Sequence, residues 1–165
     1  MQIIRRKMEK DVCTTLADIK SPAERHKNMA AIHGKDTKPE IFIRRLLFAR
    51  GYRYRTHPSS LPGHPDIWMK KYNTAIFING CFWHRHKDCK FAYLPKTRTD
   101  FWEEKFCKNI ERDIKVQNEL KGLKVRCLVI WECTTKKMQR DPDYLESVAS
   151  EIELFLHSDN LSSEL

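Results

Sequence analysis

A chain of 165 residues, 41% hydrophobic and 32% charged, has room for one domain with a modest core. No run approaches the roughly 18–20 apolar residues of a membrane span, and the opening stretch MQIIRRKMEKDVCTTL lacks the apolar centre of a secretory signal. Lys and Arg outnumber Asp and Glu by 31 to 22, a formal charge of +9, which points to a polyanionic partner, nucleic acid first, over a generic basic surface.

Residues 1–17 carry no periodic pattern and read as an N-terminal arm; residues 18–157 read as the folded domain and 158–165 as a C-terminal tail. SPAE at 21–24 opens a helix, with Ser21 as cap, Pro22 at the first helical position and Glu24 closing a capping box. TKPE at 37–40 repeats that signal before IFIRRLLFAR. There Ile41, Leu46 and Leu47 supply a core face, Arg44, Arg45 and Arg50 stay near solvent, and Gly51 stops the helix. YRYRTH at 52–57 alternates like a strand, and SSLPGHP at 59–65 is a loop, because two prolines and a glycine break regular structure. DIWM, KKYN and TAIFIN read as strand, turn and strand. Residues 97–122 form a long helix capped by Thr97 or Thr99 and ended by Gly122. KVRCLVIWE is a buried strand, and DPDYLESVASEIELFLH a last helix with Leu145, Val148, Ile152 and Phe155 at core spacing. The fold class is α/β, a mixed central sheet flanked by helices.

In a cytoplasmic chain the six cysteines read as thiols or metal ligands rather than disulfides. NGCFWHRHKDCKF at 79–91 concentrates them: Cys81, His86 and Cys89 have Cys-x4-His-x2-Cys spacing. A closed zinc site needs a fourth ligand, and Cys133, directly after a buried strand, is the best candidate, ahead of Cys13, Cys107 and Cys127. His84 could replace His86. A zinc held by three cysteines and a histidine is structural, with no position open for water. Unliganded core cysteines are the alternative.

GCFWH, together with LPGHPDI, TRTDFW, KNIERD and VIWEC, and with NMAAI and KDTKPE at the front, resembles the very-short-patch-repair (Vsr-type) DNA mismatch endonucleases from about residue 18 to 135, in the same order. The resemblance implies a restriction-endonuclease-like fold with a structural Zn2+ and a catalytic Mg2+. It implies a monomer of the bacterial cytoplasm, on the nucleoid, that cuts one strand of double-stranded DNA 5′ to the thymine of a T:G mismatch.

The same resemblance implies roles. Asp66 and the main-chain carbonyl of Ile78 would hold magnesium, and His84 would activate the attacking water. Asp113 and Glu40 would support the site; Glu40 also fits as the third residue of its capping box, and Asp113 as a partner in helix-surface ion pairs. Phe82, Trp83 and Trp102 would wedge into the base stack beside the mismatch, where unstacking is cheaper. Lys105 and Asn109 would approach the mismatched bases, with Met29 pressing from the opposite groove. Two departures stand out. Ile78-Asn79 replaces the Thr-His of the family's well-studied form, so Asn79 can hydrogen-bond a phosphate but cannot donate a proton as an acid. The Cys-to-Cys segment is also one residue longer. A relative with another DNA-structure specificity, or a zinc-stabilised DNA-binding module without catalysis, are the alternatives.

Overall fold

The computed structural model describes Ser21, Ala23, Glu24, Lys27 and residues 34–165, and the chain divides into two units, Met1–Ile32 and His33–Leu165. In the first, the expected capping box is present: the Glu24 N–H donates to Ser21 Oγ at 3.2 Å and the Ser21 N–H to a Glu24 carboxylate oxygen at 2.8 Å. Met29 lies outside the described residues.

The second unit is built on a four-stranded mixed sheet in the order β1 (Ile67–Met69), β2 (Thr74–Asn79), β3 (Arg126–Trp131), β4 (Ser162–Glu164). A short 3-10 turn, Lys70–Tyr72, joins β1 to its antiparallel neighbour β2. β2 and β3 are parallel, Ile78 opposite Ile130 and Asn79 opposite Trp131, and β4 runs parallel to β3. A parallel pair needs a long crossover, and residues 80–125 supply it. Period-two alternation then splits the apolar residues between two faces. Ile67, Met69, Ile76, Leu128 and Ile130 pack with helices α1 (Lys38–Ala49), α3 (Glu132–Met138) and α4 (Pro142–His157). Trp68, Ala75, Phe77, Cys127, Val129 and Trp131 pack under helix α2 (Thr99–Gly122). The chain is thus mixed α/β with helices on both faces of the sheet. Among the described residues no helix is long and apolar enough to cross a membrane.

Several expectations need correction. On α1 the buried face is Glu40, Ile43 and Leu47, with Leu46 partly covered, rather than Ile41, Leu46 and Leu47. Arg44 is not near solvent: its side chain is only 11% exposed, because its guanidinium finds acceptors inside. Thr37 makes no side-chain cap; its hydroxyl donates instead to Glu40 Oε1 at 2.7 Å, and the Asp36 N–H donates to Glu40 Oε2 at 2.9 Å. Gly51 ends α1 as expected, with φ +86°. Its N–H reaches Phe48 O and the Tyr52 N–H reaches Leu47 O, the paired bonds of a Schellman turn.

Only Arg55 of the expected strand at 52–57 pairs, across to Trp68. His57 turns left-handed and Pro58 follows, which ends the extension. Arg98, not a threonine, caps α2; it is left-handed and its guanidinium lies 4.5 Å above the Phe101 ring. Helix α3 and strand β4 were not expected.

The PGHP loop is held against α2 by one glycine. Gly63 has φ +73°, and a Cβ there would lie 2.4 Å from Val116 Cγ1 and 3.3 Å from the Phe77 ring. Gly63→Ala is therefore expected to cost about 3 kcal/mol from left-handed strain plus overpacking. Urea unfolding measures this, and the double variant with Val116→Ala should recover the overpacking share. An unchanged midpoint in Gly63→Ala would contradict this packing.

Candidate active site and metal centre

Asp66 stands between that loop and β1, facing β2. Its Oδ2 accepts the Ile78 N–H at 2.7 Å, which leaves Oδ1 as the freer oxygen. Burial pushes its carboxyl up to about 6. The Ile78 N–H, Arg44 and His84 act in the opposite direction, while the charge of Glu40 adds to the rise. Asn79, the last residue of β2, is the next position along.

Helix α2 brings the second half of the site. Residues 102, 106, 109, 113, 116 and 120 are spaced four and three apart, so they form one seam. The seam is Trp102, Phe106, Asn109, Asp113, Val116 and Leu120; apart from Lys105 these are the α2 residues after Asp100 that escape full exposure. Asn109 and Asp113 interrupt it with polar atoms because each meets the loop after β2. Asn109 Nδ2 donates to Trp83 O at 3.0 Å, and Asp113 Oδ2 lies 2.5 Å from His84 Nδ1. A carboxylate only accepts, so Nδ1 carries the hydrogen, and in the neutral ring Nε2 is then the nitrogen with the lone pair. Asp113 is therefore a partner of His84, not merely a member of helix-surface ion pairs.

In the same loop and on the same helix the aromatic residues touch edge to face. Phe82 meets Trp83, Trp102 and Phe106 at ring-centroid distances of 5.0, 5.5 and 5.1 Å. Phe106 is buried, whereas Phe82, Trp83 and Trp102 are half-buried, and Tyr93, against Phe82 at 5.3 Å, is 63% exposed. Lys105 places its amine 5.2 Å above Trp83, a cation–π contact. Sequence reasoning missed Tyr93, whose loop shows no periodicity, and Phe106.

Cys81, His86, Cys89 and Cys133 gather with all ligand atoms within 4.8 Å of one another, a set that could hold a metal ion. His86 Nδ1 lies 3.6 Å from Cys81 Sγ and 3.3 Å from Cys133 Sγ. A tetrahedron with sulfur at about 2.3 Å and nitrogen at about 2.0 Å has edges of about 3.5 Å, so the donors fit. His84 is engaged with Asp113 and has no place in the set. The His86 ring stacks on Trp131 at 4.2 Å. Cys133 joins because parallel pairing sets the end of β3 beside the end of β2, from which Cys81 follows.

A second gathering, Asp36, Glu40 and His57, surrounds the Arg44 guanidinium. Hydrogen bonding to Arg44 holds the Asp36 carboxyl below its ordinary range. Neither Arg44 nor His57 was expected here; the signal available was an arginine four residues after Glu40, where a helix turn brings them together. The site therefore combines a half-shielded carboxylate, an oriented imidazole with a free nitrogen, and aromatic rings at the rim. That set suits hydrolysis of a polyanionic substrate.

The chain matches known proteins over most of its length. The family profile described as DNA mismatch endonuclease Vsr matches residues 17–91. A type II nicking enzyme of Neisseria meningitidis serogroup A, V.NmeAIP, is 42% identical over 137 residues, 83% of this chain and 97% of that protein. The chain belongs to the Vsr family of DNA mismatch endonucleases. It is a DNA endonuclease. The DNA mismatch endonuclease Vsr of Escherichia coli is 37% identical over 150 residues, 91% of this chain and 94% of that protein. The type II nicking enzyme V.XorIIP of Xanthomonas oryzae is 39% identical over 118 residues, 72% of this chain and 86% of that protein. The profile match includes Glu40, Asp66 and the Cys81–Cys89 loop; α2 and Cys133 lie beyond it.

Proposed function

We propose that this Vsr-family chain is a magnesium-dependent nicking enzyme of very-short-patch mismatch repair, stabilised by a structural zinc, that cuts 5′ to the thymine of a T:G mismatch in duplex DNA. The observation that carries the reading is that Asp66, bonded to the Ile78 N–H, is within electrostatic reach of His84, whose ring is held by Asp113 and whose loop carries the half-buried Phe82 and Trp83. The core is restriction-endonuclease-like, and the enzyme acts as a monomer on the nucleoid in the bacterial cytoplasm.

Asp66 and the Ile78 carbonyl are the residues that would hold magnesium, which supplies positive charge for the scissile phosphate. His84 Nε2 takes the proton of the attacking water while Asp113 holds the ring by Nδ1. Glu40 supports Asp66 from behind, and Asn79 hydrogen-bonds a phosphate oxygen. Cys81, His86, Cys89 and Cys133 are the residues that would hold zinc, which would pin the loop that presents Phe82, Trp83 and His84. Asn109 anchors Trp83 through its carbonyl, and with Lys105 it lies on the side facing the mismatched bases. Specificity follows from deformability: an aromatic wedge enters a poorly stacked mismatch at lower cost than a paired step.

Strand-labelled duplexes carrying each mismatch, and fully paired controls, test the reading at one fixed salt concentration. Nicking of the T strand of T:G duplexes, with magnesium and not with chelator, is expected. Equal cutting of paired DNA would overturn the mismatch reading. Trp83→Ala is expected to melt near wild type and to lose about tenfold or more in T:G affinity, as one base–aromatic stack is lost. A Trp83→Ala protein that melts normally and keeps its full preference would remove the wedge.

A further inference from the structure

The geometry points to Arg44 as a positioning residue of the Asp66 centre: its guanidinium locks His57 as the Nδ1–H tautomer facing Asp66 and draws Glu40 to the same place. This rests on the reading of Asp66 as the centre of the reaction.

Arg44 is almost enclosed, and its contacts form a fork. Nη1 pairs with Asp36; Nη2 donates to Glu40 Oε2 at 2.9 Å and lies 2.8 Å from His57 Nε2 and 3.5 Å from the Asp66 carbonyl oxygen. The Tyr54 hydroxyl donates to the Arg44 carbonyl at 2.8 Å, which ties the helix backbone at this turn to the strand side of the site. Within the described residues Arg44 Nε is buried without a partner. A fork retained with an orphaned donor is held by its other contacts, since an unmet buried donor is costly.

The tautomer follows from valence. A guanidinium has donors and no acceptor, so His57 Nε2 must accept and Nδ1 must carry the hydrogen. Nδ1 lies 3.9 Å from Asp66 Oδ1, the oxygen that the Ile78 N–H leaves free. One oxygen of Asp66 is thus fixed by the Ile78 N–H at 2.7 Å, and the other lies within ion-pair distance, but not hydrogen-bond distance, of His57 Nδ1 at 3.9 Å. Glu40 is fully engaged as well: Oε1 accepts from Thr37, and Oε2 from the Asp36 N–H and from Arg44. Asp36, Glu40 and His57 lie close enough to hold a metal ion, but the guanidinium already occupies that place. An arginine there is a cation that cannot dissociate, and its planar fork dictates direction as a point charge does not. A lysine would keep the charge and lose the fork.

Nitrogen-15 spectra of histidine-labelled protein near neutral pH read the tautomer directly. In the wild type His57 is expected as Nδ1–H, and in Arg44→Ala, where no guanidinium meets Nε2, it is expected to move to the Nε2–H form. At saturating magnesium, single-turnover nicking by Arg44→Ala should fall about a hundredfold, the effect of a misplaced reacting group. Affinity for the T:G duplex without divalent metal should stay within about threefold, because the side chain is shielded from DNA. Added guanidinium ion should restore rate to Arg44→Ala and not to Arg44→Lys, where the lysine fills the space. Wild-type His57 found as Nε2–H would overturn the proposal, and needs no variant to observe. So would Arg44→Ala with an unchanged tautomer, or a rate loss in Arg44→Ala that follows its melting temperature and ignores guanidinium. Asp66→Asn separates the two levels: if it nicks at the wild-type rate, the centre is elsewhere whatever the tautomer of His57.

Discussion

Asp66→Asn is expected to abolish nicking and at the same time to stabilise the fold. The two effects share one cause. An unfolded aspartate titrates near its ordinary value of 3.8, while burial pushes folded Asp66 up to about 6. The folded state therefore binds this proton more tightly than the unfolded state, and ionised Asp66 costs stability. That cost is complete above about pH 6, shrinks as pH falls from about 6 to about 4, and is absent below. At neutral pH it amounts to about 2–3 kcal/mol. Asparagine removes the charge and keeps an oxygen for the Ile78 N–H. The variant should melt roughly 5–10 °C higher at neutral pH, and the two melting curves should converge near pH 4. Its nicking rate should fall by about a thousandfold or more, since several kcal/mol of transition-state stabilisation depend on the group. Binding to DNA without metal should hold or strengthen, because a negative charge near phosphate is lost. A variant that nicks at the wild-type rate, or that melts lower at neutral pH, would refute the assignment of Asp66. A stabilising loss of function fits a site that keeps a carboxylate in an unfavourable place for the sake of chemistry.

Removing zinc should have the larger effect on stability. Purified protein is expected to carry about one zinc per chain. Cys81→Ser, Cys89→Ser or Cys133→Ser should each lose the metal and lower the melting temperature by roughly 10–20 °C, because binding free energy at a structural site is folding free energy. Cys107→Ser is the control: Cys107 is exposed on α2, away from the ligand set. Burial pushes the Cys81 thiol up to about 12, so binding must displace a tightly held proton and retention of zinc should weaken as pH falls. Elemental analysis and melting curves on the same preparations decide the matter. Active protein without zinc would exclude the structural role, and full zinc in Cys133→Ser would move the fourth ligand.

Much was legible in order along the chain. TAIFIN and RCLVIW are strands because unbroken apolar, β-branched runs of that length suit a sheet covered on both faces. The last helix shows its own start, Asp141 accepting from the Tyr144 N–H with Pro142 next. The loop ligands Cys81, His86 and Cys89 are close in sequence, so spacing alone was enough to group them. Local chemistry, within about one turn or one loop, is written locally.

What the sequence left to the fold depends on pairings between distant segments. Cys133, already the best candidate from its place after a buried strand, reaches the other ligands because β2 and β3 are parallel and in register, Asn79 opposite Trp131. Asp113 had two readings, support of the site by resemblance or a helix-surface ion pair, and it meets His84 because the seam of α2 faces the loop after β2. Strand β4 has too little apolar character to announce itself; it forms because β3 offers a free edge, and its backbone groups pair there. Arg44 is the clearest case. An arginine amid IFIRRLLFAR reads as a solvent residue on propensity and charge, and nothing local says otherwise. Its burial follows from His57, thirteen residues on, and from Asp66 beyond that, brought to one point by the sheet. A charged group goes inside only when its partners are already assembled there, and that assembly is a property of the folded chain.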